Sequence, residues 1–198
     1  MIKTNIKLLL FLFVAIVFSG CAFKQTIVEV NHYAIEYKTD KSSYQNSLKS
    51  IYVEVPTVNK SFNTNAILYS QKPYLFEQYA KNRWINLPSN MIHNYLVQSL
   101  ENSNIFKAVL QKSSSIEFDY TLKSNITNLY HSFEGKDSFA ILKVKFDLIS
   151  KKELLKTYSY DKKILCETNS PYGFVIAVNK AFEEISKNLT LELSKEIK

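Results

Sequence analysis

From Phe139 to Ile149 the chain alternates with a period of two. Ala140, Leu142, Val144, Phe146 and Leu148 fall on one side, Lys143, Lys145 and Asp147 on the other. A helix would mix these two sets, whereas a strand separates them onto two faces, one packed and one wet. A strand of this kind needs antiparallel neighbours, because an all-parallel sheet buries both faces. The neighbours are close by. Phe118, Tyr120 and Leu122 alternate with polar residues, and the polar stretch Ser132–Asp137 with Gly135 supplies a hairpin between the two strands. Beyond the Ser150–Glu153 turn a third strand is expected through Tyr158 and Tyr160. After Lys162-Lys163 a fourth is expected around Ile164–Cys166.

Helices are needed to cover the apolar face, and two stripes provide them. Met91, Ile92, Tyr95, Leu96 and Leu100 share one helical face after Leu87-Pro88-Ser89-Asn90, where Ser89 or Asn90 is the expected cap. Asn102-Ser103-Asn104 stops that helix, and Ile105–Leu110 returns to the sheet as a short strand. From about Tyr172, Val178, Phe182, Ile185, Leu189 and Leu193 form a second stripe. Upstream, Tyr33–Tyr37 and Ile51–Val55 alternate as strands, the latter ended by Pro56. Ala66–Ser70 and Tyr74–Tyr79 make a hairpin around Gln71-Lys72-Pro73. The expected fold class is α+β: one domain, a mainly antiparallel sheet, and two main helices packed on it.

At the other end of the chain stands a segment of a different kind. Lys3 and Lys7 precede eleven uninterrupted apolar residues, Leu8 to Phe18, and then Ser19-Gly20-Cys21. Positive start, apolar core and small residues are the parts of an export signal. Eleven residues at ~1.5 Å rise cover roughly 17 Å, too little for a ~30 Å hydrocarbon core. With its cysteine after Ser19-Gly20 the segment resembles a bacterial lipoprotein signal, although Phe18 stands where Leu is commonest. That resemblance implies removal of residues 1–20, acylation of Cys21, and a tether over residues 21–31 leading to a periplasmic domain at 32–198. Two or more acyl chains anchor stably, at ~0.8 kcal/mol per methylene. Ala22, and not Asp, follows the cysteine, which under the sorting rule of enteric bacteria points to the periplasmic face of the outer membrane.

Loss of the leader takes Lys3 and Lys7 with it and lowers the formal net charge from +7 to +5. Lys151-Lys152 and Lys162-Lys163 are the densest basic spots, pairs and not runs, so charge and export both argue against a nucleic-acid partner. With Cys21 used for lipid, Cys166 has no disulfide partner and reads as a buried thiol. Three glycines leave no phosphate-cradling loop, and His32, His93 and His131 have no metal-ligand spacing. No Gly-x-Ser-x-Gly elbow appears. No catalytic residue, cofactor or metal is expected, and the chain reads as a non-enzyme. Aromatics are the unusual feature, with thirteen Tyr, thirteen Phe and Trp84. Most suit core and sheet packing, while tyrosines on edges and loops suit protein interfaces or a wet lipid-binding groove.

Between Ile67 and Val109 the sequence runs Ile67-Leu68-Tyr69, Tyr79, Asn82-Arg83-Trp84, Leu87-Pro88, Met91-Ile92, Leu96, Leu100 and Ser103-Asn104-Ile105-Phe106-Lys107-Ala108-Val109. This order resembles the auxiliary lipoprotein family of ABC-type lipid transporters, the PqiC-like accessory proteins of MCE-type systems. There a hairpin bearing a tyrosine leads to an Arg-Trp pair, a proline-started helix and a Phe-x-x-Val strand. Lys72-Pro73 departs from the Arg-rich edge common in that family. The resemblance implies an accessory of an intermembrane phospholipid transport system, working with a periplasmic MCE-domain protein and an ABC permease and ATPase. It places Tyr79, Arg83 and Trp84 where the hairpin meets the first helix, as candidate partner-docking residues. Read without it, Trp84 packs the helix start and Arg83 pairs with a carboxylate. An assembly factor for an outer-membrane barrel, of the lipopolysaccharide-transport type, is the alternative in a second class. A structural envelope lipoprotein is the third.

Overall fold

The computed structural model describes residues 29–38, 47–112 and 117–197. The leader, Cys21, Ala22 and the tether up to residue 28 lie outside the described residues, as does most of the Asp40–Ser50 loop. In chain order the elements are β1 (Asn31–Tyr33), β2 (Ser50–Val53), β3 (Thr57–Val58), β4 (Ala66–Ser70), β5 (Glu77–Trp84), α1 (Pro88–Ser103), β6 (Ala108–Leu110), β7 (Tyr120–Glu134), β8 (Asp137–Ser150), β9 (Glu153–Leu165) and α2 (Pro171–Glu196).

The alternation that begins in the sequence at Phe139 becomes the centre of an antiparallel meander, β7-β8-β9. Gly135, at φ 65°, turns the first hairpin, and Lys151 and Lys152, at φ 48° and 69°, turn the second. Two successive left-handed residues match the right-handed twist of the strands they join. Strands β2, β3 and β4 follow one another along the far edge of β7, all parallel to it. Strand β5 returns antiparallel to β4, while β1 and β6 close the two ends of this half in parallel with β5 and β2. The sheet is thus mixed, with its long ladders antiparallel.

Both helices lie on one face. Beneath them Leu122, Ile126, Ala140, Leu142, Phe146 and Leu148 are buried together with Ile92, Leu96 and Leu100 of α1 and the whole Val178-Phe182-Ile185-Leu189-Leu193 stripe of α2. The other face is wet and carries cross-strand pairs of opposite charge, Lys143 with Asp161 at 2.6 Å and Lys163 with Glu134 at 2.6 Å. Exposed pairs of this kind add little stability but keep the face soluble.

Three expectations are corrected. Strand β9 is one strand and not two, because Lys162, on the inward side, reaches out to Glu184 at 2.9 Å and the ladder continues past it. The α1 cap is neither Ser89 nor Asn90. Both are already helical, and the Ser89 amide donates to Asn63 Oδ1 at 3.1 Å from across the fold. Strand pairing at the N-terminus covers Asn31–Tyr33 and does not extend to Tyr37, since residues 34–38 have left the sheet for the helices. Helix α2 is capped locally by Ser170 Oγ, which accepts from the Gly173 amide at 3.1 Å. A Cβ on Gly173 would collide with the Thr168 carbonyl, so this helix start tolerates only glycine.

Candidate docking site

Strand β5 carries all three residues singled out for docking, and an irregularity in its pairing with β4, opposite Ala66–Leu68, interrupts its alternation between Tyr79 and Arg83. Trp84 is 2% exposed, its ring 6.0 Å from Phe174 in the first turn of α2. Its backbone amide donates to Asn65 O at 2.7 Å, and Asn65 Nδ2 donates to Trp84 O. Trp84 therefore packs against α2. Tyr79 is half-buried, with its hydroxyl 2.8 Å from His131 Nδ1 and its ring against Tyr69. His131 is fully buried, stacked on Phe174 at 5.1 Å. One aromatic wall, Tyr79-His131-Phe174-Trp84, thus ties the hairpin to α2. Arg83 is half-buried on the rim and donates to the carbonyls of Tyr79 and Asn82, so it ties down its own strand and not a carboxylate.

Burial sets the protonation of this wall. It pulls the His131 imidazole down to about 4, and it pushes the Tyr79 hydroxyl well above its ordinary value, with Tyr69 and Cys166 adding to the effect. Both are neutral at pH 7 and serve as structure. Cys166 is buried, and its thiol is raised by the same cause. Among the described residues no group of His, Cys, Asp and Glu is placed to hold a metal ion.

What the arrangement offers instead is a groove. After β1 the chain lies between the helices as a strap over residues 34–38. Ile35 is buried, and the Tyr37 ring meets Tyr95 edge-on at 5.3 Å. Asn179 of α2 holds the strap as a neighbouring strand would. Its Oδ1 accepts from the Glu36 amide at 2.9 Å, and its Nδ2 donates to Ala34 O at 3.1 Å. Beside the strap runs a groove of about 540 Å³ with Tyr33 and Tyr172 on its walls, Val175 and Ile176 among its apolar lining, and Lys38, Lys180, Glu36 and Glu183 among its charged residues. His32, at one end, pairs in register with Arg83. Apolar lining, tyrosine walls and a charge-mixed rim are what a protein segment or an amphiphile needs. Reading the sequence missed this groove. Its one signal is Asn179, a polar residue mid-helix one turn after Val175 and in front of Phe182, where an apolar residue would extend the stripe.

Comparison with known proteins places this geometry. The family model of the ABC-type transport auxiliary lipoprotein component matches residues 33–190, from the last residue of β1 to the last turns of α2. A crystal structure of a Xanthomonas campestris protein described as DUF330 superposes with a TM-score of 0.74 at 14% identity, covering 81% of this chain and 93% of that one. An uncharacterized protein of known structure reaches 0.66 at 17% identity, covering 83% and 99%. A hypothetical protein from Chlamydia trachomatis reaches 0.50 at 6%, covering 73% and 96%. At these identities the likeness is one of fold. Comparison with curated proteins returned no match. The strap, the hairpin, α1, the whole meander and most of α2 fall inside the matched stretch, and the chain belongs to the family of ABC-type transport auxiliary lipoprotein components.

Proposed function

We propose that this chain is the non-catalytic accessory of an ABC/MCE-type system that moves phospholipid between two membranes. It is anchored through an acylated Cys21 to the periplasmic face of the outer membrane and docks to a periplasmic MCE-domain partner. The observation that carries this reading is the family match over residues 33–190, which contains the groove lining except His32. Two further features support it. Among the described residues no helix is long and apolar enough to cross a membrane, which is compatible with an anchor at Cys21. The groove combines an apolar lining, tyrosine walls and a charge-mixed rim, which suits binding.

The docking assignment shifts within the same hairpin and strap. Tyr79 and Trp84 stiffen the wall, and Arg83 with His32, Tyr33 and Tyr172 presents the surface that meets the partner. Deleting the gene for this chain, the MCE partner, or both should give one and the same barrier defect, read as detergent sensitivity. An additive double deletion would sink the reading and favour the barrel-assembly alternative. In a pull-down, Tyr172→Ala should weaken capture of the partner while leaving the fold intact. Replacing Cys21 by Ala should abolish acylation, read by mass spectrometry of the N-terminal peptide.

A further inference from the structure

We propose that the tip of the β4–β5 hairpin, Tyr74-Leu75-Phe76, is a second, lipid-facing contact that seats the domain against the bilayer holding Cys21. This rests on the anchor assigned to Cys21 above. The direction of the chain is the first ground. Strand β1 runs parallel to β5, with Asn31 beside Asn82 and Tyr33 beside Trp84. Strand β1 is therefore entered from the end of the sheet at which β5 begins, which is where the hairpin tip lies. From Asn82 back to Phe76 is about 20 Å at ~3.4 Å per residue. From Asn31 to Cys21 the chain spans at most roughly 34 Å. The tip lies at the end of the sheet where β1 begins, within reach of a tether of that length.

The chemistry of the tip is the second ground. Tyr74 is fully exposed, and Leu75 and Phe76 are partly so, three adjacent apolar or amphipathic residues. Tyr74 sits at φ 68°, a left-handed conformation that non-glycine residues seldom adopt. The tip is also braced from behind. Phe76 meets Tyr130 at 5.0 Å and Phe62 at 5.8 Å, while Ser70 Oγ and the Leu75 amide both donate to the Lys72 carbonyl. Ring-bearing residues with one polar end favour the boundary between headgroups and acyl chains. Charge does not drive the contact. Lys163 is paired with Glu134, and Glu77 and Asp137 offset Lys72 and Lys136 at the same end. The contact is apolar and should be indifferent to salt.

Nitroxide labels on Tyr74→Cys and, at the far end of β5, Ile85→Cys test this in the full-length protein, since both side chains are exposed and Cys166 is buried. The protein is mixed with vesicles of phosphatidylethanolamine and phosphatidylglycerol. The label at 74 should collide with oxygen in preference to an aqueous nickel chelate, and the label at 85 the reverse, at low and high salt alike. A label at 74 as aqueous as that at 85 overturns the proposal, as does one buried only when a protein partner is added. Mass spectrometry of the N-terminal peptide separates the two claims. Acylated Cys21 with an aqueous tip leaves the anchor standing and removes the tip contact. Unacylated Cys21 with no vesicle binding removes both.

Discussion

His131 is held without exposure between Phe133 and Phe174, with Tyr79 on its Nδ1 and no partner on Nε2. Its folded pKa of about 4 lies below the unfolded value near 6.5, so the unfolded chain binds a proton that the folded chain refuses. The resulting stability is complete above pH 6.5 and is lost as pH falls to 4, in all about 3 kcal/mol. The lowered carboxylates act in another window. Asp119, held down chiefly by the Ser50 amide, and Glu134, held down by Lys163, begin to lose their contributions as pH falls through the ordinary carboxylate range and go on losing them below it. Denaturant midpoints measured between pH 7 and 4 should therefore fall in the wild type, while His131→Leu should flatten that slope. An unchanged slope in the variant would show that the buried imidazole is not its source. The three histidines looked alike in the sequence. Burial under Phe174, a contact made from 43 residues downstream, is what sets this one apart.

Helix α2 shows how far periodicity carries. Its five-residue stripe was legible in the sequence and is buried along its whole length. Phe182→Ala should cost about 3–5 kcal/mol, the loss of a core ring plus its cavity. Lys195→Ala, which removes an exposed pair with Glu192 at 2.6 Å, should change stability by less than about 0.5 kcal/mol. Chemical denaturation of the two variants checks the contrast, and equal small effects would mean that the helix is not docked. Periodicity says nothing, however, about partners on another element. Asn63 caps α1 from 26 residues upstream, and Lys162 finds Glu184 on α2. Neither contact leaves a trace in local spacing, so the helix start was assigned to the wrong side chain and β9 was divided.

For the molecule as a whole, the strap joins its two layers. Residues 31–33 extend the sheet beside β5, and residues 34–38 fill the seam between α1 and α2. Asn179→Ala removes the side chain that satisfies two strap backbone groups, the Glu36 amide and the Ala34 carbonyl. Amide exchange at residues 34–37 should speed up at least tenfold, while the β7–β8 ladder stays protected. Uniform acceleration across the chain would indicate that Asn179 supports the global fold and not the strap.

By itself the sequence determined the α+β class, the β7–β8 hairpin, the stripes of both helices and the family. The class, the hairpin and the stripes depend on the spacing of neighbours along the chain, period two for a half-buried strand and three to four for a helix, whereas the family was legible as a resemblance in the order of residues from Ile67 to Val109. The tertiary structure alone decided the parallel run of β2, β3 and β4 along β7, and the route of the strap. It also decided the inward turn of Trp84. These follow from which edges and faces meet after more than fifty residues of intervening chain. No local pattern encodes that choice, because it is settled by the burial of one apolar face against two helices.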